Sequence, residues 1–554
     1  MGLFDPVRLY WHTLKYLRVS QIYHRMRFYL WRPKINLLPP PPLTRPSGQW
    51  VAPAERGPSM TAPRVWLLLG ESGHLDELGW DGSQREKLWR YNQHYFDDLN
   101  ARGAADRQEW HSQLLSDWVA NNSPGIGSGW EPYPLSLRVV NLIKWATRGV
   151  LLQAAVVHSL SVQVRWLSER LEHHLLGNHL FANAKALVMA GVFFEGPEAD
   201  KWLVKGLGIL QREIPEQVLP DGGHFERSTM YHALVLEDML DLINITRRYS
   251  SRLSSLQQQQ VAEWPPLTQG MLTWLKAMCL GDGEISFFND ATFDIAPRTP
   301  DLEDYARRLM TPSDMSSPPP VLYLKDSGYV RIKHGSAIAL LDVARIGPDY
   351  LPGHAHADTL SFELSLGKQR VLVNSGISQY GSGKERLRQR GTAAHNTVTI
   401  KDQNSSEVWS GFRVARRAYP VGLKIEQLPD ESFTQIQCGH DGYTRLAGRP
   451  MHYRQWSTGD GQLTVIDQVK GVSVHAEARF HFHPSVELNA EHESGHGRIK
   501  LPDGHEVSWH IVHGRARLEN STWHPRFGED EPNFCLVVQL LNDASTVHFS
   551  WMHS

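Results

Sequence analysis

Apolar residues recur at helical spacing through most of the first half of the chain. In "YPLSLRVVNLIKWATRG", Leu135, Val139, Leu142, Ile143 and Ala146 share one face of a helix. "GNHLFANAKALVMAG" repeats the pattern through Leu180, Ala184, Leu187 and Val188, and "STMYHALVLEDMLDLINITRRY" through Tyr231, Leu234, Val235, Met239 and Leu242. Loops rich in Gly, Pro and Ser, such as "NNSPGIGSGWEPYP" and "LPDGGHFERS", separate these runs, and one strand-like run, "RVWLLLG", precedes them. Successive medium-length helices without intervening strands predict an all-helical unit, and an (α/α) toroid of helical hairpins satisfies the pattern.

Beyond "TPSDMSSPPP" the period shortens to two. "VLYLKDSGYVRIKHGSAIALLDVA", "LSFELSLGKQRVLVNSG", "HNTVTI", "QLTVIDQV" and "FCLVVQLL" alternate apolar and polar positions between Gly, Asp and Asn turns. Such short strands predict a C-terminal antiparallel β-sandwich. The expected class is α+β multidomain: an amphipathic helical segment and Pro-rich linker over 1–62, the toroid over 63–315 and the sandwich over 316–554.

A chain of 554 residues is too long for one core, which agrees with that division. Its net charge of -2 gives no electrostatic footprint for nucleic acid. Cys279, Cys438 and Cys535 are far apart in sequence and suggest neither a disulfide framework nor a thiolate zinc site. The 19 Trp, 17 Tyr and 18 Phe are compatible with stacking on sugar rings as well as with large cores. No run of about 18 apolar residues is present, so no transmembrane segment is expected. The opening stretch, "MGLFDPVRLYWHTLKYLRVSQIYHRMRFYLWRP", has no continuous apolar centre and does not read as a signal peptide, which leaves cytoplasm and periplasm both open. It reads as a basic, aromatic helix, either packed on the body or making a weak contact with a membrane surface or partner. Oligomeric state is not legible.

Three groups carry candidate chemistry. Asn178 and His179 open a helix, where Asn is a common cap and an amide–imidazole pair also faces anions well. Tyr231 and His232 follow Glu226 and Arg227, which read as a surface ion pair. His354 and His356 flank an alanine in "GHAHAD", and with Asn374 and His395 they form a nitrogen and oxygen set suited to one metal.

Together "GNH", "MYH", "GHAHAD", "LVNSG" and "AHNT", in that order, resemble the heparinase II/III family of polysaccharide lyases, which includes alginate lyases. The resemblance runs from about Trp66 to the end. It implies an (α/α) toroid followed by an antiparallel sandwich, and β-elimination on a 4-linked uronate of an acidic polysaccharide. Residue by residue, it implies that Asn178 and His179 neutralise the uronate carboxylate while Tyr231 and His354 move the protons. It further implies one structural divalent ion, zinc or calcium, at His356, Asn374 and His395. The chain departs from the pattern at Asn374, where Asp is usual, and a neutral amide oxygen is the weaker ligand.

Elimination needs donors on the carboxylate, because the proton at C5 is acidic only when the developing charge is stabilised. It also needs a base and an acid within about 3 Å of their targets. A phenolate at Tyr231, favoured by cationic Arg227 or His232, is one route to the base. Substrate contacts are expected from Tyr91, His94, Trp130, Arg227, His232, Asn289, Asp290, Tyr380, Arg388 and Arg390. Two other classes remain open: a glycoside hydrolase using Asp221 with Glu226 or Asp290 with Asp358, and a non-catalytic protein of polysaccharide binding or exopolysaccharide biosynthesis.

Overall fold

The computed structural model describes residues 5–310, 318–428, 432–473, 475–490 and 495–552. The expected boundary between residues 315 and 316 lies outside the described residues. Helices dominate up to Leu309, and the predicted runs become Pro132–Thr147, Gly177–Phe193 and Thr229–Arg248. "RVWLLLG" supplies Val65–Leu68, the middle strand of a small antiparallel sheet.

Gly177–Phe193 packs against both Pro132–Thr147 and Pro197–Gln217. Close approach to the latter requires Gly191, because a Cβ there would stand 2.5 Å from the Leu203 amide nitrogen. A buried charge cluster ties three helices together. Asp241 accepts from Lys144 at 2.9 Å and from Lys185 at 2.7 Å, and Lys185 also reaches Asp238 at 2.7 Å. Burial pushes the Asp241 carboxyl up, but the two lysines outweigh it and hold it down at about 2. Removing one partner of such a buried set typically costs about 3–5 kcal/mol, so the cluster holds the helix starting at Thr229 in register with the one starting at Gly177.

From Val321 onward strands dominate, with a short α-helix at Lys384–Gln389. Five strands between Val321 and Leu372 pair in sequence order, and sheets of eight and four strands follow, with every named strand pair antiparallel. Met451–Gly459 alternates half-buried and buried positions, the period-two signature read from sequence. Within it the buried Arg454 pairs with Asp467 on the neighbouring strand and donates to the carbonyls of Leu360 and Asn396. The sheet core thereby fixes the chain just after each of the two loops that carry His356 and His395. Helical and sheet regions each have their own hydrophobic core.

Two helices at the start, Asp5–Leu14 and Val19–Leu30, lie against both regions. Thr13 touches the Val414 carbonyl on the sheet side, whereas His24 and Phe28 pack on His173 and His174 on the helical side.

Candidate active site

The site forms where irregular segments of the two regions interlock. His354 and His356 sit between the strands Ala337–Asp342 and Phe362–Leu366. Opposite them lies Asp290, whose backbone N–H donates to the His354 carbonyl at 2.9 Å. The Asp290 carboxylate accepts from His354 Nδ1 at 2.9 Å, from His356 Nε2 at 2.8 Å and from both terminal nitrogens of Arg386, one at 2.7 Å. Burial pushes this carboxyl up, but Arg386 and the two imidazoles outweigh it and hold it well below the usual carboxylate range. An ionised carboxylate only accepts, so it fixes His354 with its proton on Nδ1 and its lone pair on Nε2.

The His354 ring packs against the Tyr231 ring with centroids 3.8 Å apart and planes tilted by 30°. Tyr231 Oη and Tyr380 Oη are 2.9 Å apart. Ser228 caps the Tyr231 helix by accepting from the Tyr231 N–H at 3.1 Å, and its hydroxyl donates to the Asp290 carbonyl. One serine therefore ties the phenol to the carboxylate that orients the imidazole. Burial pushes the Tyr231 phenol well above its ordinary value, so it stays protonated in the free protein.

The third wall is the start of the Asn178 helix. Leu176 precedes it at φ 63°, and the helix starts at Gly177, so Asn178 lies in the first turn rather than at the cap. Gly177 is required there. A Cβ would stand 2.5 Å from Leu351 Cδ2 and 2.8 Å from Glu226 Oε1. The half-buried Asn178 side chain makes no hydrogen bond among the described residues. His179 is oriented by Glu172 at 3.1 Å and stacks on Tyr133 at 4.3 Å. Between this turn and His354 stands Glu226, 2% exposed, with neither carboxylate oxygen hydrogen-bonded. Its nearer oxygen is 3.8 Å from His354 Nε2, and burial pushes its carboxyl up. An oriented imidazole, a protonated phenol, an unpaired amide and a desolvated carboxylate thus lie close together where the two regions meet.

Residues 94–298 match the description Heparinase II/III N-terminus, and residues 316–552 match Heparinase II/III-like, C-terminal. The chain belongs to the heparinase II/III family. It is 28% identical over 273 residues to the heparin-sulfate lyase of Bacteroides stercoris, covering 46% of this chain and 40% of that one. The chain spans about half the length, or less, of the heparin-sulfate lyases it matches. FtsZ-localized protein C of Caulobacter vibrioides is 24% identical over 514 residues, covering 86% of this chain and 84% of that protein. A crystal structure of a mutant heparan sulfate lyase from Pedobacter heparinus shares the fold at TM-score 0.61 and 16% identity, covering 96% of this chain and 88% of that one.

Of the residues read from this family's motifs, Tyr231, His354 and Tyr380 converge directly, and the helix start that carries Asn178 and His179 approaches them through Glu226, which lies against Gly177. Several expected substrate contacts are structural instead. Buried His94 accepts from Trp118 Nε1 at 3.1 Å and stacks on Trp80, and burial lowers it to about 3. Trp130 is 3% exposed, stacked on Trp118. His232 packs on Trp274, bonds the Met271 carbonyl at 2.9 Å and is lowered by burial to about 4. Arg227 turns outward to the Arg345 carbonyl at 2.7 Å, so neither it nor His232 is a cation for a Tyr231 phenolate. Glu226 and Arg227 accordingly form no surface ion pair. Asn289 braces the His356 N–H and the Arg227 carbonyl. Arg388 pairs with Glu385 and His524. Arg390 holds the Ala355 carbonyl, its guanidinium lowered by burial to about 9. Tyr91 remains half-buried with its hydroxyl on Glu131. Asp290 belongs to the site, but as the buried anchor of His354.

The expected ligand Asn374 is also committed elsewhere. Its oxygen accepts from the Asn396 N–H at 3.2 Å and its own N–H binds Glu363 at 2.8 Å. The carboxylate beside His356 and His395 is Asp358, and one ligand atom from each of these three falls within 4.8 Å of the others. His356 Nδ1 and His395 Nε2 are 3.2 Å apart. Two imidazoles bound tetrahedrally at about 2.0–2.1 Å would place their nitrogens about 3.3–3.4 Å apart, so the spacing fits a divalent ion. Asp290 on the far nitrogen of His356 supplies the outer carboxylate such sites use.

Proposed function

We propose that this protein is a polysaccharide lyase that cleaves a 4-linked uronate by β-elimination. The observation that carries the reading is the stack of His354 on Tyr231, with His354 anchored through Nδ1 to an ionised carboxylate. His354 Nε2 takes the proton from C5. Tyr231, protonated in the free protein, donates to the departing O4 and passes its hydrogen bond from Tyr380 to substrate. Asn178 and His179 bind the uronate carboxylate and stabilise the charge that develops as the C5–H bond breaks. Electron pairs balance: the C–H pair becomes the C4–C5 double bond, and the C4–O4 pair leaves with the oxygen that Tyr231 protonates.

Because the two rings lie side by side, base and acid address one face of the sugar. A syn elimination suits uronates in which H5 and O4 share a face, the D-gluco and D-manno configurations, and disfavours their C5 epimers. The neutral overall charge favours a polymer of low sulfation. The helical region is read as an open toroid and the sheets as a stacked sandwich, with the cleft between them. A divalent ion at His356, His395 and Asp358 would lock the loop that presents His354 and takes no part in proton transfer.

A hydrolase has weaker support. Asp221 is spent on the N–H groups of Asp326 and Ser327, and Asp290 on Arg386, so neither nominated pair offers two free carboxyls. A non-catalytic role is favoured by one observation: a relative that covers 86% of this chain is FtsZ-localized protein C. Incubation with heparosan, hyaluronan, mannuronate-rich alginate and bacterial uronate exopolysaccharides decides the matter. Growth of the ultraviolet band of an unsaturated uronate on any of them supports lyase action. New reducing ends without that band would mean hydrolysis, and no product from any polymer would favour the non-catalytic role.

A further inference from the structure

Exposed apolar surface is concentrated at the start of the chain. Of 27 large hydrophobic side chains exposed among the described residues, 13 lie between Val7 and Leu38. On the helix Val19–Leu30 the exposed set is Val19, Ile22, Tyr23, Met26, Tyr29 and Leu30, each 49–82% exposed. At about 100° per residue these six fall within an arc of about 120°. The opposite face is already used: Gln21 reaches the Tyr350 carbonyl, His24 packs on His173 and Phe28 on His174 under Arg170. The helix therefore has two contact faces, one buried on the body and one turned outward. The preceding helix repeats the arrangement, with Val7, Tyr10, Trp11 and Leu14 exposed at helical spacing while Thr13 anchors to Val414 and Trp409.

Charge indicates what covers this surface. Residues 1–34 carry seven Lys and Arg against the single Asp5, in a chain whose net charge is -2. Arg25 and Arg27 are exposed on opposite edges of the apolar stripe, each about 40° beyond its border. An exposed row of Ile, Met, Leu and Tyr, bordered on both sides by cations, has the composition of a helix lying in the plane of a bilayer. There the apolar face enters the acyl boundary and the cations meet anionic headgroups. We propose that these two helices dock the protein on an anionic membrane surface without spanning it; no described helix is long and apolar enough to cross. The same helix touches the cleft wall: Arg18 lies over the Tyr350 ring at 3.6 Å, four residues before His354. Docking therefore sets the cleft close to the bilayer.

This inference is independent of the lyase reading, and its test needs no substrate. Full-length protein would be sedimented with vesicles of phosphatidylcholine alone and of phosphatidylcholine with phosphatidylglycerol, at low and high salt. Binding to the anionic vesicles, weakened by salt and at least about ten-fold weaker in Ile22→Ser/Met26→Ser/Leu30→Ser, is expected. The triple variant should unfold at the wild-type temperature, because these side chains are exposed. Leu256→Ser/Val472→Ser, which removes exposed apolar groups elsewhere, should bind as wild type. No binding to anionic vesicles, binding unaffected by the triple variant, or a wild-type dimer that this variant dissolves would each overturn the proposal, the last by showing that a second copy covers the stripe.

Discussion

Asp290 and Arg386 separate what holds the site together from what makes it react. In Asp290→Asn the buried guanidinium of Arg386 loses its counter-charge and one of the two oxygens that accept from it, keeping the Gly411 carbonyl and at most one amide oxygen. Breaking a buried ion pair in this way costs about 3–5 kcal/mol. For a unit of a few hundred residues that lowers Tm by about 6–20 °C. Arg386→Met should cost a similar amount, since it strands the carboxylate instead. The double variant removes both charges and should return to within about 1 kcal/mol of wild type. Activity should not follow stability. Without a carboxylate on Nδ1, His354 loses its fixed tautomer, and kcat should fall by about 10²–10⁴ in Asp290→Asn and stay there in the double variant. Calorimetry and initial rates of unsaturated-product formation read the two quantities separately. A double variant no more stable than the singles would refute the ion-pair argument, and one with wild-type rates would refute the orienting role of Asp290.

Glu226→Gln should stabilise the fold by about 1–3 kcal/mol and so raise Tm, because an unpaired buried carboxylate is removed, while lowering kcat/KM; a lower Tm with unchanged rates would contradict the reading of Glu226 as a site group. Tyr231→Phe should abolish turnover and leave oligosaccharide affinity, measured by calorimetry, largely intact. Arg454 and His452 outweigh the burial that pushes the Asp467 carboxyl up and lower it to about 2. A depressed carboxyl stabilises above its unfolded pKa, so about 2–3 kcal/mol should be lost as pH falls from about 4 to about 2. In Asp467→Asn that limb of an acid-unfolding curve should flatten.

Much of the architecture is legible because each region has one period. Helices with an apolar face every three to four residues survive as read, and so does the alternation of strands such as Met451–Gly459 and Ala544–Trp551, whereas Phe362–Leu366 is buried on both faces. In the cleft, legibility stops where backbone reversals and ladders intervene. Glu226 and Arg227 look like a surface pair, but Arg227 adopts φ 59°, which sends the two side chains apart and buries the acid. Arg386, Arg388 and Arg390 alternate in sequence, and only the short helix Lys384–Gln389 decides that Arg386 faces Asp290 while Arg388 faces Glu385. His94 and Trp130 have the composition of a sugar platform, yet both fill a tryptophan-rich core with Trp80 and Trp118. Asp358 lies two residues from His356, closer than the Asn374 that the motif pattern suggests, and its proximity to His395 is set by tertiary structure alone.

The central claim is that Asn178, Tyr231 and His354 act on a single uronate ring. A crystal structure of Tyr231→Phe with a uronate tetrasaccharide that the wild type cleaves tests it most directly. The mechanism predicts the uronate carboxylate on Asn178 and His179, with C5 within about 3–3.5 Å of His354 Nε2 and O4 beside the position of the missing hydroxyl. A sugar bound in the cleft with its carboxylate away from Asn178, or with C5 beyond reach of His354, would contradict it.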